Sequence, residues 1–258
     1  MPELSLYRHI VDVLLAEHEA SDPPGINDGY PIHQLSCVWG IYAQIHRFGR
    51  AAVMLSDNGM GHEANILVRA MLEYTVLLHW AIDRGDDGVD AVLANQSKQM
   101  RNWVKNTKGT SFVIPPDIAA ELGSDQPGID ESKAVRTFKE MCGQIDVQDL
   151  YTVYGIYSLF VHPTFTTSNI YCDTSDNEAG LRLRPSGDSR SSISLIAHCL
   201  IWAGRAFDRL TPGHPREDDL ENLARQIKAR PILPAYHPTP PAPRKPRRRS
   251  RSRVRRNS

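Results

Sequence analysis

Hydrophobic positions recur along this chain at helical steps, and two of the resulting helices are interrupted by a narrow polar stripe. Pro2 to Glu19 carries Leu6, Ile10, Val13 and Leu14 on one arc, and Pro23 and Pro24 end it. A second helix is predicted from about Ile32 to Leu55. It is stopped by Asp57-Asn58-Gly59, whose glycine suits a positive φ. The third, about Gly61 to Asp83, is apolar nearly all round and belongs at the centre of a bundle. Mixed surfaces follow at about Asp87 to Asn106, which exposes Lys98, Arg101 and Lys105, and in shorter helices at Pro116 to Leu122 and Glu131 to Gln144. The next helix runs from Gln148 to Val161, and Pro163 disfavours α geometry at His162, setting that residue at the C-terminal edge. Alternation in Asn169 to Asp173 and Gly180 to Arg184 predicts a small β-hairpin around Asp176 and Asn177. Ser191 to Leu210, with Ser189 or Ser191 as cap, and Glu217 to Arg230 return to helix. The expected fold is an all-α bundle of about seven to nine helices with that hairpin after His162.

The stripes are His62, Asn65, Arg69 and Glu73 on the third helix, and Tyr151, Gly155, Ser158 and His162 on the helix from Gln148. At about 100° per residue each set falls within one narrow arc. An unpaired buried polar group costs about 1 to 3 kcal/mol, so the two sets should meet. Arg69 and Glu73, at i and i+4, can pair along one face, either as a surface ion pair or as part of a half-buried network. His162 reads either as a histidine capping its own helix before Pro163 or as an acid or base, and the capping role ranks first. Tyr151, Tyr154, Tyr157 and Phe160 recur at spacing three, which suits a core better than a platform for bases.

Composition splits the molecule in two. The formal net charge is zero, but residues 238–258 hold nine bases and no acid, leaving residues 1–237 with 21 bases against 30 acids. From Pro231 onward prolines alternate with arginines, so a helical domain over residues 1–230 and a disordered tail with polyproline II bias over 231–258 are expected. Arg247, Arg248, Arg249, Arg251 and Arg253 form the densest part of that tail. They would bind RNA or another polyanion by counterion release, without sequence preference. A solubilising end, or a tether folding back on the acidic body, is an equal alternative.

Cys37, Cys142, Cys172 and Cys199 lack CxxC spacing, which argues against a zinc site and a disulfide framework and for reduced thiols. Charges throughout residues 1–20 exclude a signal-peptide core, and Ile193 to Phe207 is too short to span a bilayer. No membrane association and a cytoplasmic location are therefore expected. The histidines form no HExxH or ExxH pair, and no phosphate-cradling loop, GxSxG elbow or dinucleotide fingerprint occurs, so neither metal nor cofactor is implied.

The segment Asp57-Asn58-Gly59 through Glu63-Ala64 and Leu67-Val68-Arg69-Ala70-Met71-Leu72-Glu73, followed by Tyr154, Ser158 and Val161-His162-Pro163, resembles a bacterial family catalogued only as a domain of unknown function, DUF5677. That family in turn is similar to HEPN-type helical domains, and the likeness spans roughly residues 30 to 210. The resemblance implies a dimer and, at most, a metal-independent ribonuclease of a defence or toxin system. In that reading His162 is acid or base, Arg69 the phosphate-directed cation, with Glu73, Ser158 and Tyr154 around them. The arginine such proteins carry shortly before their histidine is missing, its places being Gly155, Ile156 and Tyr157. The competing expectation is a non-catalytic interaction module in which Arg69, Glu73, Tyr154 and His162 form a buried network that fixes helix register.

Overall fold

The computed structural model describes residues 3–20, 32–123, 137–162, 165–173, 180–181 and 190–238. Among them are ten helices: α1 (Leu4–Ala20), α2 (Ile32–Asp57), α3 (Gly61–Arg84), α4 (Asp86–Thr107), α5 (Pro116–Gly123), α6 (Phe138–Gln144), α7 (Gln148–Ser158), α8 (Phe165–Asn169), α9 (Arg190–Asp208) and α10 (Glu217–Gln226). The all-α reading holds, and α3 is the centre. It packs on α2, α9, α4, α7 and α6, burying Val68, Met71, Leu72, Val76, Leu78 and Ala81. α1 lies across α9 and α2 through Ile10, Val11, Leu14 and Leu15.

The turn between α2 and α3 forms as its sequence dictates. Gly59 takes φ 74°, its amide donates to the Ser56 carbonyl, and the Met60 amide reaches back to Leu55 at 2.8 Å, a Schellman closure. The next junction depends on Gly88, because a Cβ there would stand 2.3 Å from the Ala81 carbonyl oxygen. Only a residue without a side chain lets α4 approach the end of α3 so closely.

Four expectations change. Residues Asn169 to Tyr171 are not strand: Phe165–Asn169 is the helix α8, and among the described residues strand pairing is confined to Cys172–Asp173 against Gly180–Leu181, antiparallel. The remaining residues of the expected hairpin, 174–179 and 182–184, lie outside the described residues. α7 stops at Ser158 rather than Val161, and α10 at Gln226 rather than Arg230, where Lys228 takes φ 56°. α6 begins at Phe138, with the Thr137 hydroxyl accepting from the Glu140 amide at 3.2 Å, while most of its expected first half is outside the described residues.

The fourth change concerns the domain's end. Residues 231–237, expected in the tail, lie on the bundle: Leu233 is 2% exposed, Trp202 donates to the Arg230 carbonyl at 2.9 Å, and the His237 amide donates to the Gln144 carbonyl. Prolines deny this strap a helix, but two of its large apolar side chains, Leu233 and Tyr236, still find cover on the body. Residues 239–258, with all the tail arginines, lie outside the described residues.

Candidate functional site

α3 sets Arg69 and Glu73 one turn apart on the flank that meets α7, and α7 sets Tyr154 and Ser158 one turn apart opposite them. Arg69 Nε donates to Ser158 Oγ at 3.0 Å, and one terminal nitrogen donates to the Tyr154 hydroxyl. The other terminal nitrogen lies 3.8 Å from the Glu73 carboxylate, and the guanidinium carbon sits 4.3 Å from the centre of the Tyr154 ring. Ser158 Oγ in turn donates a hydrogen bond to the Tyr154 carbonyl at 2.7 Å. Two of the three guanidinium nitrogens thus donate hydrogen bonds within the protein, and the third faces Glu73 as a loose ion pair. Burial, with Glu73 adding to it against the opposing Arg69, pushes the Tyr154 phenol above its usual range. A phenol held protonated and a serine hydroxyl donating to its own helix are not activated nucleophiles.

His162 stands apart from this cluster. After Ser158 the chain tightens, the amides of Leu159, Phe160 and Val161 bonding three residues back instead of four. That shift carries His162 off the α7 stripe. Its side chain is exposed, no hydrogen bond or ion pair joins it to Arg69, Glu73, Tyr154 or Ser158, and its carbonyl accepts from Thr167 at 3.1 Å. The expected four-membered network therefore lacks its histidine.

The rest of the stripes part ways. Asn65 faces α9 and accepts from Ser192 at 2.5 Å; His62 packs on Phe160, ring centres 5.8 Å apart, with a buried Nδ1 that has no partner among the described residues. Tyr151 stacks beside Tyr154 at 6.3 Å, and Gly155 is exposed with open space above it.

A second polar centre escaped sequence reasoning. Asp83, 6% exposed, receives Arg209 at 2.6 Å, His79 at 3.4 Å and the Tyr236 amide at 2.8 Å. His79 Nε2 also contacts the Pro234 carbonyl at 3.0 Å; a carbonyl only accepts, so Nε2 carries the proton and the buried Nδ1 is bare. Burial holds the His79 pKa below its ordinary value. The i, i+4 spacing of His79 and Asp83 was visible in the sequence, whereas the strap and Arg209 that complete the centre are remote in the chain.

Among the described residues no group of three or more His, Cys, Asp or Glu side chains is placed to hold a metal ion, and no helix is long and apolar enough to cross a membrane. All four cysteines are unpaired, and burial pushes the thiols of Cys142 and Cys199 up to about 12. A model described as a family of unknown function, DUF5677, matches residues 36–179, more than half of the chain. The chain belongs to DUF5677. The region matched to DUF5677 contains α3 and α7 and hence the whole Arg69 cluster, whereas α1, α9, α10 and the strap lie outside it. No curated protein and no solved structure matches the chain.

Proposed function

We propose that the chain is a non-catalytic interaction module in which Arg69, Glu73, Tyr154 and Ser158 lock the register of α7 on α3. The observation that carries this reading is that Arg69 is turned onto α7, donating to Ser158 and Tyr154, with Glu73 beside it as counter-charge. A cation that stabilises a developing phosphorane keeps donors aimed at the substrate, and an acid or base must stand beside it. Here two donors are spent on α7, a carboxylate stands against the cation, and the imidazole is elsewhere. The lock holds the outer face of α7 in place, where Tyr151, Ile156 and Leu159 are 37%, 54% and 44% exposed around the open Gly155. A second copy of the chain is the occupant this face would take, in keeping with the dimer that a HEPN-like resemblance implies.

A second reading, an RNA-directed protein of a bacterial defence or toxin system, is favoured by the nine bases without an acid in residues 238–258. One assay separates the two. Purified full chain, His162→Ala and Arg69→Ala are incubated with bulk RNA without metal, and each is melted. The module predicts no cleavage by any of them and a lowered melting temperature for Arg69→Ala alone. Cleavage by the native chain that both variants lose while remaining folded would establish the enzyme.

A further inference from the structure

Residues 91–116 contain Lys98, Arg101, Lys105 and Lys108 and not one acid, in a body whose acids outnumber its bases by nine. This stretch is the greater part of α4 and the loop into α5. Lys98, Lys105 and Lys108 are exposed and have no carboxylate partner among the described residues. Arg101 donates to Ser97 at 3.3 Å, one turn back along the cationic flank. Beneath them, between α4 and α5, runs an open groove of about 590 Å³ lined by Arg101, Asn102, Lys105 and Lys108 over a floor of Val104 and Ala119.

Next to the lysines on the outer face of α4 come amides, Gln99, Asn102 and Asn106, and then an aromatic pair. Trp103 is 47% exposed and Phe112 58%, their ring centres 6.0 Å apart. Phe112 is held there by its own amide, which donates to the Thr110 hydroxyl at 3.3 Å, while that hydroxyl is anchored on the Thr107 carbonyl at 2.8 Å. Two large rings kept in water by a braced loop bury little for the fold. They sit beside Lys98, Lys105 and Lys108, which have no carboxylate partner among the described residues.

We infer that this α4–α5 face binds single-stranded nucleic acid, the groove cations taking the phosphates and Trp103 with Phe112 stacking the bases. The match is one of charge and of chemistry together: unpaired lysines attract a polyanion, exposed rings offer bases a sequence-tolerant platform, and amides accept and donate along base edges. A protein partner fits worse, since lysine is depleted where protein interfaces close. The site is separate from the Arg69 lock and from the tail, and requires no catalysis.

Binding is tested on the full chain with fluorescein-labelled uridine and 2′-deoxyuridine 15-mers, by anisotropy across a salt series. The variants are Trp103→Ala/Phe112→Ala, Lys98→Ala/Lys105→Ala/Lys108→Ala, and a tail variant with Arg247, Arg248, Arg249, Arg251 and Arg253 changed to alanine. Expected are about a tenfold or greater loss for the aromatic variant at unchanged melting temperature. The lysine variant should show a slope of log affinity against log salt shallower by about 2. Equal losses for both oligomers place recognition on base and phosphate; a loss confined to one adds the sugar to the site, and either supports the inference. No binding by the native chain, full competition by base-free polyphosphate, or binding that only the tail variant loses would overturn it.

Discussion

Asp83, one residue before the end of α3, accepts a hydrogen bond at 2.8 Å from the backbone amide of Tyr236, which lies 153 residues further along the chain. The contact turns a proline-bearing segment into part of the body. Its cost and benefit are set by burial: Asp83 and His79 are almost fully enclosed, and each is compensated only while the strap and Arg209 are in place.

Cutting the chain after Arg230 should therefore lower its melting temperature, and cutting after Thr239 should not. Leu233→Ala alone is expected to cost about 2 to 4 kcal/mol, the usual range for emptying a leucine site. Asp83→Ala leaves the half-buried Arg209 without its carboxylate and the Tyr236 amide without its acceptor, and should cost about 2 kcal/mol or more. Urea unfolding of the four proteins checks this, and equal midpoints for the two truncations would detach the strap from the fold.

Acid should weaken the molecule before its carboxylates titrate. His46 is 4% exposed, its ring stacked 3.9 Å from that of His18 and its Nδ1 bonded to the Tyr42 carbonyl. Burial, with the positive charges of His18 and Arg216, lowers its pKa to about 3. The unfolded chain takes up a proton near pH 6.5 that the folded chain refuses. The stability is therefore complete above that pH and is lost as pH falls toward 3, at up to about 1.4 kcal/mol per unit. His18 and His198 are shifted in the same direction by burial. Unfolding free energies at pH 7, 6 and 5 should fall less steeply in His46→Gln than in the native chain. Parallel slopes would remove His46 as a source of the acid sensitivity.

Two glycines make a matched pair. Gly88→Ala drives a methyl into the Ala81 backbone and should cost about 3 kcal/mol, the upper end for overpacking. Gly155→Ala meets nothing within 4 Å on an exposed turn of α7 and should gain about 0.5 to 1 kcal/mol from helix propensity. Thermal melts of the two variants compare them directly.

If α7 presents its outer face to a second copy, Ile156→Asp/Leu159→Asp should shift the chain to monomer in light scattering at unchanged helix content. A native chain that is monomeric at high concentration would remove the dimer and leave the lock intact.

Periodicity read α3 correctly because a helix apolar on every side has nowhere to go but the centre, and Asp57-Asn58-Gly59 read correctly because only one closure suits that glycine. Arg69, Glu73, Tyr154 and Ser158 were legible for the same reason, each pair lying one turn apart on facing helices. His162 was not. A tightening of three residues after Ser158 is enough to swing it off the stripe, and nothing in Leu159, Phe160 or Val161 signals such a turn. The strap was hidden by its prolines, whose composition outweighed the two side chains, Leu233 and Tyr236, that fasten it. Asn65 was read as a partner for α7, but the stripe is wide enough at its first turn to face α9 instead, where Ser192 waits.

The lock itself is measured most directly by a double-mutant cycle between Arg69→Met and Tyr154→Phe, with unfolding free energies from urea titration. The first variant removes the guanidinium and the second only the phenolic oxygen, leaving the ring and the backbone acceptor of Ser158 in place. A coupling of about 1 kcal/mol or more is predicted, within the range for residues in one polar network. Effects that add to within about 0.3 kcal/mol would mean that Arg69 does not hold α7, and would contradict the account.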